Sequence, residues 1–255
     1  MQFFEDLHDV TLVTRARIGD LAALEVLVQR YRRGLYTVAL GILGDPLDAF
    51  EVTRTALLRA YAWLSMEDPE SGFFSLTHRL LVQECLDRIK QPACAERGDI
   101  NLRARAPMTG DDRRCRVQRA LLRLDPRVRA VVALRHLAGL SYEETASTLE
   151  MPTDIVRAYL HDARQQIGEW LLDWPADSAL PPRDERLLQS GLDGALDYWE
   201  REARERLIHA RSDAATRARA LRELGQLLNS LGPADPPPDL VPDVLGQIAA
   251  RISSF

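Results

Sequence analysis

The sequence has no long hydrophobic run. No stretch approaches the roughly 20 continuous apolar residues that a helix needs to cross a bilayer, so the sequence predicts no membrane-spanning helix. The N-terminus places Glu5 and Asp6 where a secretory signal peptide needs a basic start. We therefore expect a cytoplasmic protein without a membrane partner.

Cysteine is scarce, and the patterns typical of catalysis are missing. Cys85, Cys94 and Cys115 lie far apart with no Cys-x-x-Cys pair, which argues against a disulfide framework and against a zinc site. The chain also lacks a glycine-rich phosphate loop and a Ser/His/Asp grouping, and its five histidines are scattered. We therefore expect no catalytic residue, no metal and no cofactor, and hence a protein that is not an enzyme.

A basic block is also missing. The formal net charge is −5, and residues 111–174 contain ten basic and ten acidic residues. Proteins that hold DNA nonspecifically do so through clusters of Lys and Arg that release counterions from the phosphates. Any contact with nucleic acid must therefore rest on a local patch or on a partner.

What the sequence does contain is helical periodicity, with no convincing strand alternation, so we predict an all-α fold. Asp20 is the expected N-cap of a long helix that ends at Gly44, and Pro46 opens the next helix. A third amphipathic run follows from Phe74 to Ile89. This part of the chain is therefore expected to form a helical bundle.

Two stretches rich in proline and polar residues divide the chain into three helical domains. We predict a first domain at 1–92, a linker at 93–110, a second domain at 111–174, a linker at 175–183 and a third domain at 184–255. In the third domain we expect helical runs at Asp184–Ala210 and Ala214–Leu231 and a last helix at Leu240–Ile252.

A helix-turn-helix is predicted at Leu140–Ile167. Ser141 and Glu144 form a capping box, and a tight turn leads to Thr153 as the expected N-cap of a second helix. Helices of this kind lie in the DNA major groove. A plain helical hairpin is the alternative that the pattern leaves open. The second helix is expected to turn Ile155, Val156, Leu160 and Ala163 to the core and Thr153, Asp154, Arg157, Ala158, His161 and Arg164 to solvent.

The run from Leu121 to Ala146, which contains Leu124-Asp125-Pro126 and Gly139-Leu140-Ser141-Tyr142-Glu143-Glu144, resembles the C-terminal domain of extracytoplasmic-function sigma factors. In that family the domain recognises the upstream promoter element. The resemblance therefore implies a DNA-reading surface on the second domain. The residues implied are Ser141, Thr153, Arg157, His161 and Arg164.

Residues 11–90 resemble the family's other domain, which binds core RNA polymerase and melts promoter DNA. The similar pieces include Leu12-Val13-Thr14-Arg15, Gly44-Asp45-Pro46-Leu47-Asp48-Ala49 and Leu86-Asp87-Arg88-Ile89. The resemblance implies that Asp48, Glu51, Leu58 and Arg59 lie on the surface toward polymerase. It also implies that Arg79, Gln83 and Arg88 lie near the melted DNA.

The chain departs from the family pattern at several positions. Phe50 replaces an acid, and Arg54-Thr55 replaces a Gln-Glu pair on the polymerase-binding helix. In the second domain, Tyr159 and Asp162 stand where basic residues are usual. Each change removes polarity or charge suited to polymerase or DNA. A degenerate, sigma-like interaction module that has given up promoter recognition is therefore the alternative to an active sigma factor.

The third domain opens with Leu192-Asp193-Gly194, similar to the Leu-Asp-Gly-Glu-Leu opening of anti-sigma domains. His209 is present, but Asp213 and Thr216 replace the two cysteines of the usual zinc motif, so no zinc site is expected. The residues expected to contact the sigma domains are Leu192, Trp199, Leu224, Leu228, Leu245 and Ile248.

The resemblances together predict a regulator of transcription initiation that is inhibited by its own C-terminal domain. Fusion raises the effective concentration of that domain to roughly millimolar, so modest affinity suffices to close the protein. A signal or a regulatory protein would shift the domain between covering and freeing the sigma surfaces. A C-terminal extension that only stabilises the fold remains the simpler alternative.

Overall fold

A computed structural model of the chain describes residues 7–64, 72–91, 112–172, 174 and 180–252. Within these ranges no helix is long and apolar enough to span a membrane. The N-terminal unit contains α1 (Asp9–Arg17), α2 (Leu21–Leu43), α3 (Pro46–Leu64) and α4 (Phe73–Ile89). The middle unit contains α5 (Asp112–Arg123), α6 (Pro126–His136), α7 (Tyr142–Leu149) and α8 (Thr153–Leu171). The C-terminal unit contains α9 (Pro182–Leu192), α10 (Tyr198–Ala210), α11 (Ser212–Asn229) and α12 (Leu240–Ile252).

Local signals in the sequence fix several of the helix ends. The Asp20 carboxylate accepts hydrogen bonds from the backbone N–H groups of Ala22 and Ala23, which confirms it as the cap of α2. Gly44 ends this helix at φ +72°, a left-handed conformation that favours glycine. The all-α prediction is confirmed, whereas Cys94 and the predicted linker at 93–110 lie outside the described residues.

The C-terminal unit differs from the prediction in its first half. The single run expected at Asp184–Ala210 is wrong, because α9 ends at Leu192 and α10 begins only at Tyr198. Gly194 turns the chain at φ +68°, and Asp197 caps α10 in a reciprocal pair of hydrogen bonds with Glu200. In addition, α9 begins at Pro182, inside the predicted linker, because proline is well suited to the first position of a helix.

Two hydrophobic cores hold the three units together. The first core contains α1–α4 and also receives apolar side chains of α6, such as Leu134, and of α12, such as Val244 and Ile248. The second core contains α5–α8 together with Leu188 of α9 and Leu224 of α11. The C-terminal unit is therefore divided between the cores, with α9 and α11 in one and α12 in the other.

The connection between α11 and α12 runs along α2. The backbone N–H of Ala234 donates to Thr37 Oγ1 at 2.9 Å, and Arg33 Nε lies 2.9 Å from Asp235 Oδ1. Arg114 of α5 donates to the backbone oxygen of Leu231. These contacts bring the connection past the N-terminal and middle units before α12 packs on the N-terminal unit.

Candidate regulatory interface

The helix-turn-helix is present, and its capping box is confirmed. The Glu144 N–H donates to Ser141 Oγ at 3.1 Å, and the Ser141 N–H donates to Glu144 Oε2 at 2.7 Å. The expectation that Thr153 caps the next helix is wrong. Pro152 is the residue before α8, and its extended backbone starts the helix without a side-chain hydrogen bond.

The prediction that Arg164 faces solvent is wrong, since its side chain is 1% exposed. Its Nη2 donates to Asp193 Oδ1 at 2.5 Å, and its Nη1 donates to Asp193 Oδ2 at 2.9 Å and to Gln189 Oε1 at 3.0 Å. A bidentate guanidinium–carboxylate pair of this kind combines charge with two aligned hydrogen bonds. It joins α8, the second or recognition helix of the helix-turn-helix, to the end of α9.

Asp193 also accepts hydrogen bonds from two other residues of the middle unit. The Tyr142 hydroxyl donates to its carboxylate, and Arg135 Nη2 donates to its backbone oxygen at 2.9 Å. Burial opposes the charge of Asp193, but the hydrogen bonds and charge of Arg164 outweigh it, and the net result is a lowered pKa. Burial and the same carboxylate raise the pKa of Tyr142 to about 12. The cluster therefore holds an ionised carboxylate beside a neutral phenol.

His136, at the end of α6, completes this cluster as a neutral base. Burial and then the charge of Arg164 lower its pKa to about 3. Its Nε2 lies 3.2 Å from Arg164 Nη2 and accepts that N–H when the ring is neutral. A hydrogen bond with Asn229 of α11 opposes the shift. His136 thus lies where α6, α8 and α11 meet.

A second buried arginine, Arg217 of α11, forms an ion pair with Glu185 of α9 and a hydrogen bond to α8. Arg217 donates from Nε to both carboxylate oxygens of Glu185 at 3.1 Å and from Nη2 to Gln165 of α8 at 2.8 Å. Its guanidinium lies 3.9 Å from the ring centroid of Trp174, within the range of a cation–π contact. The C-terminal unit is therefore bound to α8 through two buried arginines.

Two other predicted DNA-reading residues face α9 across a recess of about 580 Å³. Arg157 lies 4.8 Å from the Tyr142 ring centroid, and His161 Nδ1 lies 4.0 Å from Glu185 Oε1. Arg157 is exposed, as predicted, His161 is half-buried, and both line this recess. The expectation that Ile155 points to the core is wrong, because it is 41% exposed.

The predicted polymerase-facing residues on α3 divide into two groups. Asp48 and Leu58 are buried, so the expectation that they lie on the surface is wrong. Asp48 is buried because Arg88 of α4 lies 2.7 Å from its carboxylate and compensates its charge. Glu51 is half-buried, and exposed Arg59 pairs with Glu84.

The C-terminal helix α12 packs beside that surface. Leu240, Val244 and Ile248 are buried in the first core, and Asp243 Oδ2 lies 3.2 Å from Arg54 Nη1. Arg54 also pairs with Glu51 at 2.6 Å. The arginine that replaces a family glutamine therefore has an acidic partner in the chain's own last helix. The replacement at position 54 was the only sequence signal for this contact.

The N-terminal and middle units also bind each other directly. Arg129 of α6, which the sequence did not single out, is buried and donates to the backbone oxygen of Ile42 at 2.7 Å. Of the residues predicted near melted DNA, Arg79 pairs with Glu150 of the middle unit at 3.2 Å and Gln83 is exposed. The third, Arg88, is the partner of Asp48.

The residues expected to make regulatory contacts are placed as follows. Leu224 and Leu228 are buried in the second core, with Leu192 against its edge. Ile248 is buried in the first core, with Leu245 beside it. Trp199 is 71% exposed, so the expectation that it anchors the unit is wrong. Its ring instead contacts Tyr198 edge-on. No residue of α10 is buried.

Comparison with known proteins agrees with the two-unit arrangement. Residues 27–93 match the family described as Sigma-70 region 2, and residues 116–167 match the family described as Sigma-70, region 4. The RNA polymerase sigma-E factor of Streptomyces coelicolor is 30% identical over 175 residues, which are 66% of this chain and 97% of that protein. The RNA polymerase sigma-H factor of Pseudomonas aeruginosa is 24% identical over 181 residues, which are 64% of this chain and 94% of that protein.

A solved structure of CnrH in complex with the cytosolic domain of CnrY shares the fold. It has a TM-score of 0.51 and 24% identity and covers 65% of this chain and 97% of that one. The fold and the two matched regions define a sigma-70-type transcription factor. Within that class, the chain belongs to the extracytoplasmic-function sigma factors and is a factor of transcription initiation. Helices α9–α12 lie outside both matched regions.

Proposed function

We propose that this sigma factor is held inactive by its own C-terminal unit. The observation that carries the proposal is the burial of Arg164 of the recognition helix against Asp193, in the Leu-Asp-Gly turn that resembles the opening of an anti-sigma domain. An arginine in this pair is buried, so none of its donors is exposed to a DNA phosphate. Helix α9 also lies across the recess that contains Arg157 and His161.

A second contact supports the same proposal. Helix α12 packs on α3 beside Glu51 and engages Arg54, within the part of α3 that the family uses to bind polymerase. One unit therefore covers a DNA-reading surface with α9 and a polymerase-binding surface with α12. A domain that only stabilised the fold would have no need to reach both.

In the open protein, core RNA polymerase and promoter DNA would be the partners. Ser141, Thr153, Arg157, His161 and a freed Arg164 would lie toward the upstream element, with Arg79, Gln83 and Arg88 near the melted strand. Glu51 and Arg59 would face polymerase in the cytoplasm. A regulatory protein or signal that favours the open state would activate the factor, because only differential affinity for the two states shifts them.

The proposal is tested with core polymerase and two forms of the chain, the full chain and one ending at residue 174. The full chain is expected to associate weakly, and removal of α9–α12 is expected to tighten association by roughly tenfold or more. The C-terminal unit supplied separately should reverse the gain. Equal affinity of the two forms, with both folded, would contradict autoinhibition.

A second candidate, a sigma-like interaction module without promoter recognition, is favoured by one observation. Asp162 is exposed on α8, where it would repel phosphates. Under this alternative the shortened chain binds polymerase but shows a salt dependence of DNA binding near zero. An active factor should instead lose affinity steeply as salt rises, in proportion to the phosphates contacted.

A further inference from the structure

A recess with two chambers lies between the recognition helix and the C-terminal unit. The first chamber, of about 580 Å³, is bounded by α8 and α9. The second, of about 750 Å³, is bounded by α8, α9 and α10. Arg157, Arg186 and Ser190 line both chambers, so the two are adjacent. Each chamber has the volume of a small-molecule site.

The second chamber carries three arginines, Arg157, Arg183 and Arg186. Among the described residues, the side chains of Arg183 and Arg186 have no hydrogen-bond or ion-pair partner, and both residues are exposed. A planar guanidinium suits the paired oxygens of a phosphate. The cluster therefore offers unpaired donors for an anion of high charge.

The carboxylates that line the recess are mostly engaged elsewhere. Asp184 lies 3.3 Å from Arg211, Glu185 is paired with Arg217, and Glu200 belongs to the capping box of α10. Asp154, in the first chamber, is the exception among the described residues. The second chamber thus keeps an excess of positive charge.

An exposed aromatic side chain forms one edge of this chamber. Trp199 lines it, and the edge-on ring of Tyr198, with centroids 5.3 Å apart, supports the indole from the side. Leu196 and Leu207 add apolar surface near it. A flat indole accepts any nucleobase by stacking, without sequence preference.

We propose that this recess binds a nucleoside triphosphate, with the phosphates on Arg157, Arg183 and Arg186 and the base on Trp199. Arg157 belongs to the recognition helix and the other two arginines to α9. A ligand that bridges them binds the closed chain better than the open one, and so stabilises the closed state. This regulatory part rests on the proposed autoinhibition, whereas the binding itself does not.

The test titrates the intact chain with GTP, ATP and inorganic triphosphate by calorimetry, without magnesium. Saturable binding of both nucleotides is expected, and Arg183→Ala/Arg186→Ala should weaken all three probes by about tenfold or more. Trp199→Ala should weaken the nucleotides several-fold and leave inorganic triphosphate unchanged. Arg219→Ala, which removes an exposed arginine of α11 outside the recess, should change nothing. Absence of binding, or equal binding by the double variant, would overturn the site.

The regulatory part has a separate readout, the association of the intact chain with core polymerase. GTP should weaken this association in the wild type and leave it unchanged in Arg183→Ala/Arg186→Ala. Nucleotide binding without any effect on association overturns the regulatory part and leaves the site standing. If the chain ending at residue 174 associates no better than the full chain, the proposed autoinhibition fails instead, and the calorimetry still decides the site.

Discussion

Arg164 and Asp193 form a buried bidentate ion pair that joins the recognition helix to the C-terminal unit, with side chains 1% and 2% exposed. Such a pair need not add stability relative to apolar residues, but the loss of one partner is costly because it leaves an uncompensated buried charge. The pair therefore holds these two elements together, and their contact depends on both members.

Replacement of Asp193 tests the importance of this ion pair. Asp193→Ala leaves the Arg164 guanidinium buried without a carboxylate partner. We expect the free energy of unfolding to fall by about 3–5 kcal/mol. Urea unfolding followed by circular dichroism measures the change. Asp235→Ala is the control, because that carboxylate is 79% exposed in its pair with Arg33 and should cost less than about 1 kcal/mol. Equal losses of stability in the two variants would contradict the importance of the Arg164–Asp193 pair.

Helix α12 should detach when its apolar face is charged. Ile248→Asp places a carboxylate in the first core, where an unpaired charge is not tolerated. Amide hydrogen exchange should then accelerate in α12 and along the adjoining part of α3, while α9 and α11 keep their protection. Ala250→Asp, on the exposed side of the same helix, should leave exchange unchanged. Faster amide exchange throughout the second core would contradict the separate attachment of α12.

Gly168 of α8 permits the approach of Trp174. A Cβ at this position would lie 1.9 Å from the Trp174 ring, so Gly168→Ala must displace the indole. We expect a loss of about 1–3 kcal/mol and a shift of tryptophan emission to longer wavelength. Gly34→Ala, where an added Cβ meets nothing within 4 Å, should instead stabilise helix α2 by about 0.5–1 kcal/mol. A gain in stability at Gly168 would show that the indole is not held there.

Stability should fall as the pH falls from about 6, and His136 is one cause. Its pKa is about 3 in the folded chain, against about 6.5 when unfolded, so between these values the unfolded chain binds a proton that the folded chain excludes. The expected slope from this group is about 1.4 kcal/mol per pH unit. Asp193 and Glu185, whose pKa values are lowered, add to the loss below about pH 4.

Urea midpoints between pH 7.5 and pH 4.5 check this prediction in the wild type and in His136→Gln. The variant should lose part of the slope and keep the part due to His78, another buried histidine with a lowered pKa. Superimposable pH profiles of the two proteins would contradict the assignment to His136.

Several helix boundaries in the N-terminal and middle units were predictable because their signals are local. Asp20, Gly44 and the Ser141–Glu144 capping box each act within four residues of the backbone groups they satisfy. The same locality explains why the helix-turn-helix was found at its correct place. Family resemblance supplied the order of the first two units, which periodicity alone does not distinguish from other helical bundles.

The burial of polar residues was not predictable, because the partners are distant along the chain. The sequence predicts an exposed Arg164 because its partner Asp193 lies 29 residues later in another unit. It predicts Asp48 on the surface because its partner Arg88 lies 40 residues later. The apolar spacing of α12 predicts that one face is buried, but nothing in the spacing selects α2 and α3 as the partners. Contacts between helices that are distant in the sequence depend on how their shapes and charges fit in three dimensions.

The most direct test of autoinhibition measures the affinity of core RNA polymerase for the intact chain and for Asp193→Ala/Ile248→Asp. The double variant removes the Arg164–Asp193 pair and the apolar anchor of α12 without shortening the chain. If the closed state masks the binding surfaces, the variant should bind at least about tenfold more tightly than the wild type. Unchanged or weaker affinity, with helical content preserved by circular dichroism, would contradict the account.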